Sequence, residues 1–94
     1  MKDVKLFTIQ DCKYCAAARR ALSELREENP EYRKVNVEEI DEDAHPDIAE
    51  KYDYWSVPTA FVGDEKIFET TIWDKDDKVR QNVKKALDAA LQEE

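Results

Sequence analysis

The chain has 94 residues, a formal net charge of −8 and two cysteines. Its length fits one domain over residues 1–94, and a chain of this size buries roughly two-thirds of its unfolded surface, enough for a modest core without staples. The charge weighs against nucleic acid or an anionic membrane as partner, because phosphate binding rests on Lys and Arg; it favours solubility or a basic partner surface. Two cysteines cannot form a multi-bridge secreted scaffold. Met1-Lys2-Asp3 leads directly into an apolar run, with no leader and no stretch near the ~20 apolar residues a membrane span needs, so a reducing cytoplasm is the expected compartment.

Val4 to Ile9 reads as the first strand. Val4, Leu6 and Thr8 share one side and Lys5, Phe7 and Ile9 the other, so both faces are largely apolar, as in a central strand covered by helices. Cys12-Lys13-Tyr14-Cys15 follows. From Tyr14, Ala18, Ala21, Leu22 and Leu25 recur at helical spacing with Arg19, Arg20 and Glu24 on the other face, until Asn29-Pro30 ends the helix. Tyr32 to Val37 reads as a second strand and Glu38 to Asp43 as a solvated acidic loop. A short second helix has Asp43 as its cap, Pro46 in its first turn, and Ile48, Ala49 and Tyr52 as its stripe. Val57 to Val62 opens a third strand, Gly63-Asp64 turns the chain, and a fourth strand around Lys66 to Phe68 closes a hairpin. In the last helix Asp74 is the candidate cap, Asp76 and Asp77 suit the positive end, and Val79, Val83, Ala86, Leu87, Ala90 and Leu91 form the stripe. The order β-α-β-α-β-β-α predicts an α/β fold: a four-stranded mixed sheet flanked by three helices, with the first two strands parallel.

The Cys-X-X-Cys spacing at a strand–helix junction points to dithiol chemistry. The two intervening residues form the first helical turn, which brings the sulfurs within bonding reach and leaves Cys12 the more exposed. Unpaired amide groups and the helix dipole favour its thiolate, the form that attacks disulfides. Cys12 is then the nucleophile, and Cys15 resolves the mixed disulfide.

Cys12-Lys13-Tyr14-Cys15, Ser56-Val57-Pro58-Thr59 and the element order over nearly the whole chain resemble the thioredoxin superfamily and, within it, the glutaredoxins. The resemblance implies the thioredoxin fold, a cis bond before Pro58, and a Val57 whose free backbone groups hold an extended substrate beside Cys12. Tyr14 and Trp55 are candidate substrate contacts, Trp55 as a groove wall or an aromatic packed beneath its loop. Glutaredoxins hold glutathione carboxylates with a basic residue three positions before the first cysteine and a Gly-Gly pair after the fourth strand. Here Ile9 and Phe68-Glu69 stand in those places. Ile9 cannot pair a carboxylate, Glu69 repels one, and the bulk of Phe68 closes the approach; Lys13 is a substitute cation. Disulfide-bearing proteins are the implied substrates, no cofactor is held, and reducing equivalents come from a flavin-dependent thioredoxin reductase with NADPH or, alternatively, from glutathione.

Three further readings compete. Two cysteines at this spacing are half a zinc site, but His45 is the only other soft donor and reads as solvated. Some glutaredoxins bridge an iron–sulfur cluster with glutathione, usually with Gly or Ser where Lys13 stands. A redox-inert interaction module keeping an unreactive bridge is the third. Trp73 reads as a packing residue against the last helix. With no apolar stripe left over, a monomer is expected.

Overall fold

A computed structural model describes residues 1–92. Its elements run β1 (Val4–Thr8), α1 (Lys13–Glu28), a 3-10 segment (Pro30–Lys34), β2 (Val37–Asp41), α2 (Pro46–Ala49), β3 (Thr59–Val62), β4 (Glu65–Glu69) and α3 (Asp76–Gln92). The sheet order is β2-β1-β3-β4. β1 and β2 are parallel, while β3 is antiparallel to both β1 and β4. This mixed sheet with helices on both faces is the thioredoxin fold.

Alternation along β1 divides the core. Val4 and Leu6 join Ala60, Val62 and Phe68 under α1 and α3, where Ala18, Ala21, Leu25, Val79, Val83, Ala86 and Leu87 cover them. Phe7 points to the opposite face with Ile40 and Phe61, where Ile48, Ala49, Tyr52, Tyr54 and Val57 pack against it. The rings there interlock, with Phe7 centred 5.0 Å from Tyr52 and 4.9 Å from Tyr54. Glycine occurs in the turn of the β3–β4 hairpin, Gly63, at φ +61°, a conformation L side chains rarely adopt. Among the described residues, no helix is long and apolar enough to cross a membrane.

The second strand lies further along the chain than Tyr32 to Val37. Asn29 accepts a hydrogen bond from the Glu31 N–H and Pro30 starts a 3-10 turn. Arg26 then ties the segment down by donating to the carbonyls of Tyr32 and Val35. Tyr32 and Val35 are buried, but beneath α1 and α3 rather than on a strand. The acidic stretch that reads as a loop is β2 itself: Lys5 pairs Glu38 at 2.6 Å and Arg19 pairs Glu39 at 2.7 Å, so an exposed edge strand carries these carboxylates.

Both expected aspartate caps fail as well. Asp41, not Asp43, folds its carboxylate onto the following N–H groups, at Asp43 and Ala44, and His45 precedes α2 with no side-chain cap bond. Asp74 is used one turn earlier, accepting from the Thr71 N–H and hydroxyl, while the Val79 N–H reaches the Lys75 carbonyl at the start of α3. The third strand begins at Thr59, leaving Val57 and Pro58 in the loop before it.

Candidate active site

β1 ends at Thr8, and Asp11 adopts a left-handed φ of 56° that turns the chain into α1. Cys12 is the N-cap, extended at φ −111° and ψ 117°, and its Sγ accepts the Cys15 N–H at 3.2 Å. Its carbonyl accepts from Ala16 at 3.0 Å. The helix entry therefore aims a backbone donor at the first sulfur. Both thiols are free; Cys12 is half-buried and Cys15 fully buried. Burial pushes the Cys15 thiol up to about 12, helped by its hydrogen bond to Cys12, while the Ile9 backbone and Arg19 pull the other way. The second sulfur thus keeps its proton at neutral pH.

The Val57-Pro58 bond is cis. In the antiparallel register Thr59 faces Phe7, so Pro58 lies at the sheet end where the chain leaves β1 for Cys12. A lattice of hydrogen bonds fixes this loop. The Thr70 N–H donates to the Pro58 carbonyl at 3.1 Å, and the hydroxyls of Ser56 and Thr59 donate to the carbonyls of Thr70 and Ser56. Among the described residues, no hydrogen bond engages the Val57 N–H or C=O. Pro58 is buried, and Val57 rests partly on the Phe7 cluster.

Glu69 and Phe68 do something other than the sequence suggests. A β-bulge between the partners of Ala60 and Phe61 shifts the register, and Phe68 turns into the core, away from any substrate approach. The Glu69 carboxylate accepts the N–H groups of Trp55 and Ser56 and pairs Lys66 at 2.9 Å. Burial opposes its charge, but Lys66 and the two backbone donors outweigh that and hold its carboxyl below the usual range. Glu69 is the anchor of the loop before Pro58. Only its neighbour in space, not its neighbour in sequence, could have given that away.

Tyr14 is half-buried on the first turn of α1, its hydroxyl donating to the Ile72 carbonyl at 3.1 Å, and the Lys13 ammonium sits 5.2 Å from its ring centre. Between this turn and residues 72–77 runs a groove of about 840 Å³, lined by Lys13, Tyr14, Ile72 and Trp73 among others, though by neither cysteine. Trp55, Trp73 and Ile72 are 93%, 81% and 73% exposed. Trp55 is therefore not packed beneath its loop, and Trp73 does not pack on α3. Apolar surface is thus left over at Trp55, Ile72 and Trp73, so the ground for a monomer, that none remains, does not hold. Periodicity finds stripes on helices and strands, and these three residues stand on loops. His45 is exposed, as expected. Among the described residues, no three His, Cys, Asp or Glu side chains gather into a group able to hold a metal ion.

Comparison with known proteins agrees with this geometry. A solved structure described as "Structure of a malarial protein" shares the fold at a TM-score of 0.58 and 17% identity, over 89% of this chain and 94% of that one. No curated protein sequence matches. The glutaredoxin family profile matches residues 4–67, ending just before Phe68-Glu69. With β1, the dithiol turn, the cis-Pro58 loop and most of the β3–β4 hairpin inside that match, the chain belongs to the glutaredoxin family, a family of thiol–disulfide oxidoreductases.

Proposed function

We propose that this protein reduces protein disulfides through a Cys12/Cys15 dithiol cycle, as a cytoplasmic enzyme with weak or no dependence on glutathione. The observation that carries the reading is the asymmetry of the pair: Cys12 is accessible at a helix N-cap, and Cys15 is buried, protonated and adjacent. Cys12 as thiolate attacks a substrate disulfide, the substrate's first sulfur leaves, and a mixed disulfide forms. Cys15 then loses its proton and attacks Cys12, expelling the second substrate sulfur and leaving a Cys12–Cys15 disulfide.

The unengaged Val57 N–H and C=O supply a docking edge for an extended chain, backed by buried Pro58. Exposed Trp55 and Trp73, with Tyr14 and Lys13, offer aromatic and cationic contacts suited to a protein rather than a tripeptide. Ile9 leaves no cation before the dithiol, and Lys66 already neutralises Glu69, so neither supports the hold on glutathione carboxylates seen in the family pattern. A flavin-dependent thioredoxin reductase with NADPH is the electron source this favours.

Insulin disulfide reduction tests the reading, run once with glutathione, glutathione reductase and NADPH, and once with thioredoxin reductase and NADPH. Turnover mainly in the second system is expected, with a reduction potential between about −200 and −270 mV. Strong turnover in only the first assigns glutathione as the donor. No turnover in either, with a potential below about −300 mV, makes the chain an interaction module with an inert bridge.

A further inference from the structure

Arg19 follows Cys15 by one turn of α1, a spacing that places Cβ atoms about 5–6 Å apart on one helix face. Its side chain is fixed in place. Nε donates to the two Glu39 oxygens at 3.1 and 2.9 Å, and Nη2 donates to Oε2 at 2.7 Å. Glu39 is held in turn by the hydroxyl of buried Thr8 at 3.0 Å, the last residue of β1 before the loop to Cys12. The Glu39 carboxyl lies below its usual range, first because of Arg19, so the pair stays ionised.

We propose that Arg19, clamped by Glu39 and Thr8, is a positioning residue that holds a positive charge one turn from Cys15 and promotes loss of the Cys15 proton during resolution. The inference rests on the dithiol cycle above. In the mixed disulfide Cys12 carries neither charge nor proton. Two of the influences that hold the proton on Cys15 then vanish, the Cys12 hydrogen bond and the Cys12 charge, leaving burial opposed by the Ile9 backbone and Arg19. Other charged groups on the surrounding elements include Asp11 and Lys13 at the helix entry, Arg20 on α1, Lys5 on β1, and Glu38, Glu39 and Asp41 on β2, with Lys5 and Glu38 paired to each other; Ser56, Val57, Pro58 and Thr59 bring none.

The step balances within these groups. The Cys15 proton leaves to solvent, its sulfur lone pair forms the Cys12–Cys15 bond, and the Cys12–substrate S–S bond breaks. The substrate sulfur departs with that electron pair and is protonated, so the substrate is reduced and the protein dithiol oxidised.

Stopped-flow reaction of the reduced protein with excess dithiobis(nitrobenzoate) separates the steps. Attack by Cys12 releases one coloured thiolate at a rate that scales with probe concentration, and resolution by Cys15 releases the second at a rate that does not. A charge about one helical turn away in a part-solvated site changes the thiolate fraction about tenfold. Because a more basic thiolate is the better nucleophile, Arg19→Ala should slow resolution about three- to fourfold and move its pH midpoint up by about one unit. The first phase should change less, and Arg19→Lys should recover at least half the midpoint shift. Equal slowing of both phases, an unchanged resolving phase, or no recovery with Lys would overturn the inference. Absence of any first phase in Cys15→Ser would overturn the dithiol cycle too, whereas a normal first phase with an indifferent Arg19 overturns this inference alone.

Discussion

Glu69 illustrates how one carboxylate shapes the site without touching either sulfur. Four donors converge on it, two of them backbone N–H groups of the segment that leads into Pro58, with the Ser56 hydroxyl and the Lys66 ammonium beside them. Glu69→Gln keeps the shape and removes the charge, and should lower stability in chemical denaturation by about 1.5–3 kcal/mol, the range for hydrogen bonds to charged groups. The pH dependence has a definite sign. A carboxyl whose folded value lies below its ordinary 4.5 contributes stability above 4.5, which is lost as pH falls through the folded value. Glu69→Gln should therefore flatten the acid limb of the stability profile below about pH 4.5. Trp73 separates recognition from reaction. Trp73→Ala should raise KM for insulin several-fold and leave the rate with a small aromatic disulfide unchanged, since a side chain 81% exposed carries little core packing. At this scale the dithiol and Pro58 were legible because their chemistry is written in their spacing. Glu69, Trp73 and Arg19 were not, because each acts through residues that are distant in sequence or through surface that a loop leaves open.

Among the elements, the long helices are the most legible in the sequence. The Ala18, Ala21, Leu25 stripe of α1 and the Val79, Val83, Ala86, Leu87, Ala90 stripe of α3 are the buried residues the periodicity marks. β2 lies beyond the apolar signal of its region, which belongs to the segment before it. Tyr32 and Val35 resemble one side of a strand, yet Asn29, Pro30 and Arg26 bend them into a 3-10 turn under the helices. The Glu38 and Glu39 carboxylates of β2 are exposed, as an acidic stretch suggests, yet they stand on an edge strand where Lys5 on β1 and Arg19 on α1 pair them. Tyr32 makes this testable: its hydroxyl donates to Asp88 on α3 at 2.7 Å, and burial, then that bond, raises the phenol above its usual range. Tyr32→Phe should cost about 0.5–1.5 kcal/mol in denaturant unfolding and leave dithiol reactivity intact. A neutral effect would detach the 3-10 segment from α3.

Across the whole molecule, the fold gathers three loops at one end of the sheet: the entry to α1, the cis-Pro58 loop and the segment after β4. Their order in space follows from β1 lying beside β3 and from the hydrogen bonds that tie residues 55–58 to 69 and 70. The topology was legible because alternating strands and helices admit few right-handed arrangements. The chemistry rests on the pair of sulfurs that this end holds, one accessible and one buried. Trapping the intermediate by mass spectrometry tests that claim most directly. Reduced protein is mixed with a disulfide-bearing peptide, quenched in acid, and weighed intact. Cys15→Ser should accumulate one peptide on Cys12, wild type should pass to an internal Cys12–Cys15 disulfide, and Cys12→Ser should form no adduct. An adduct on Cys15 in Cys12→Ser, with Cys15→Ser unreactive, would contradict it.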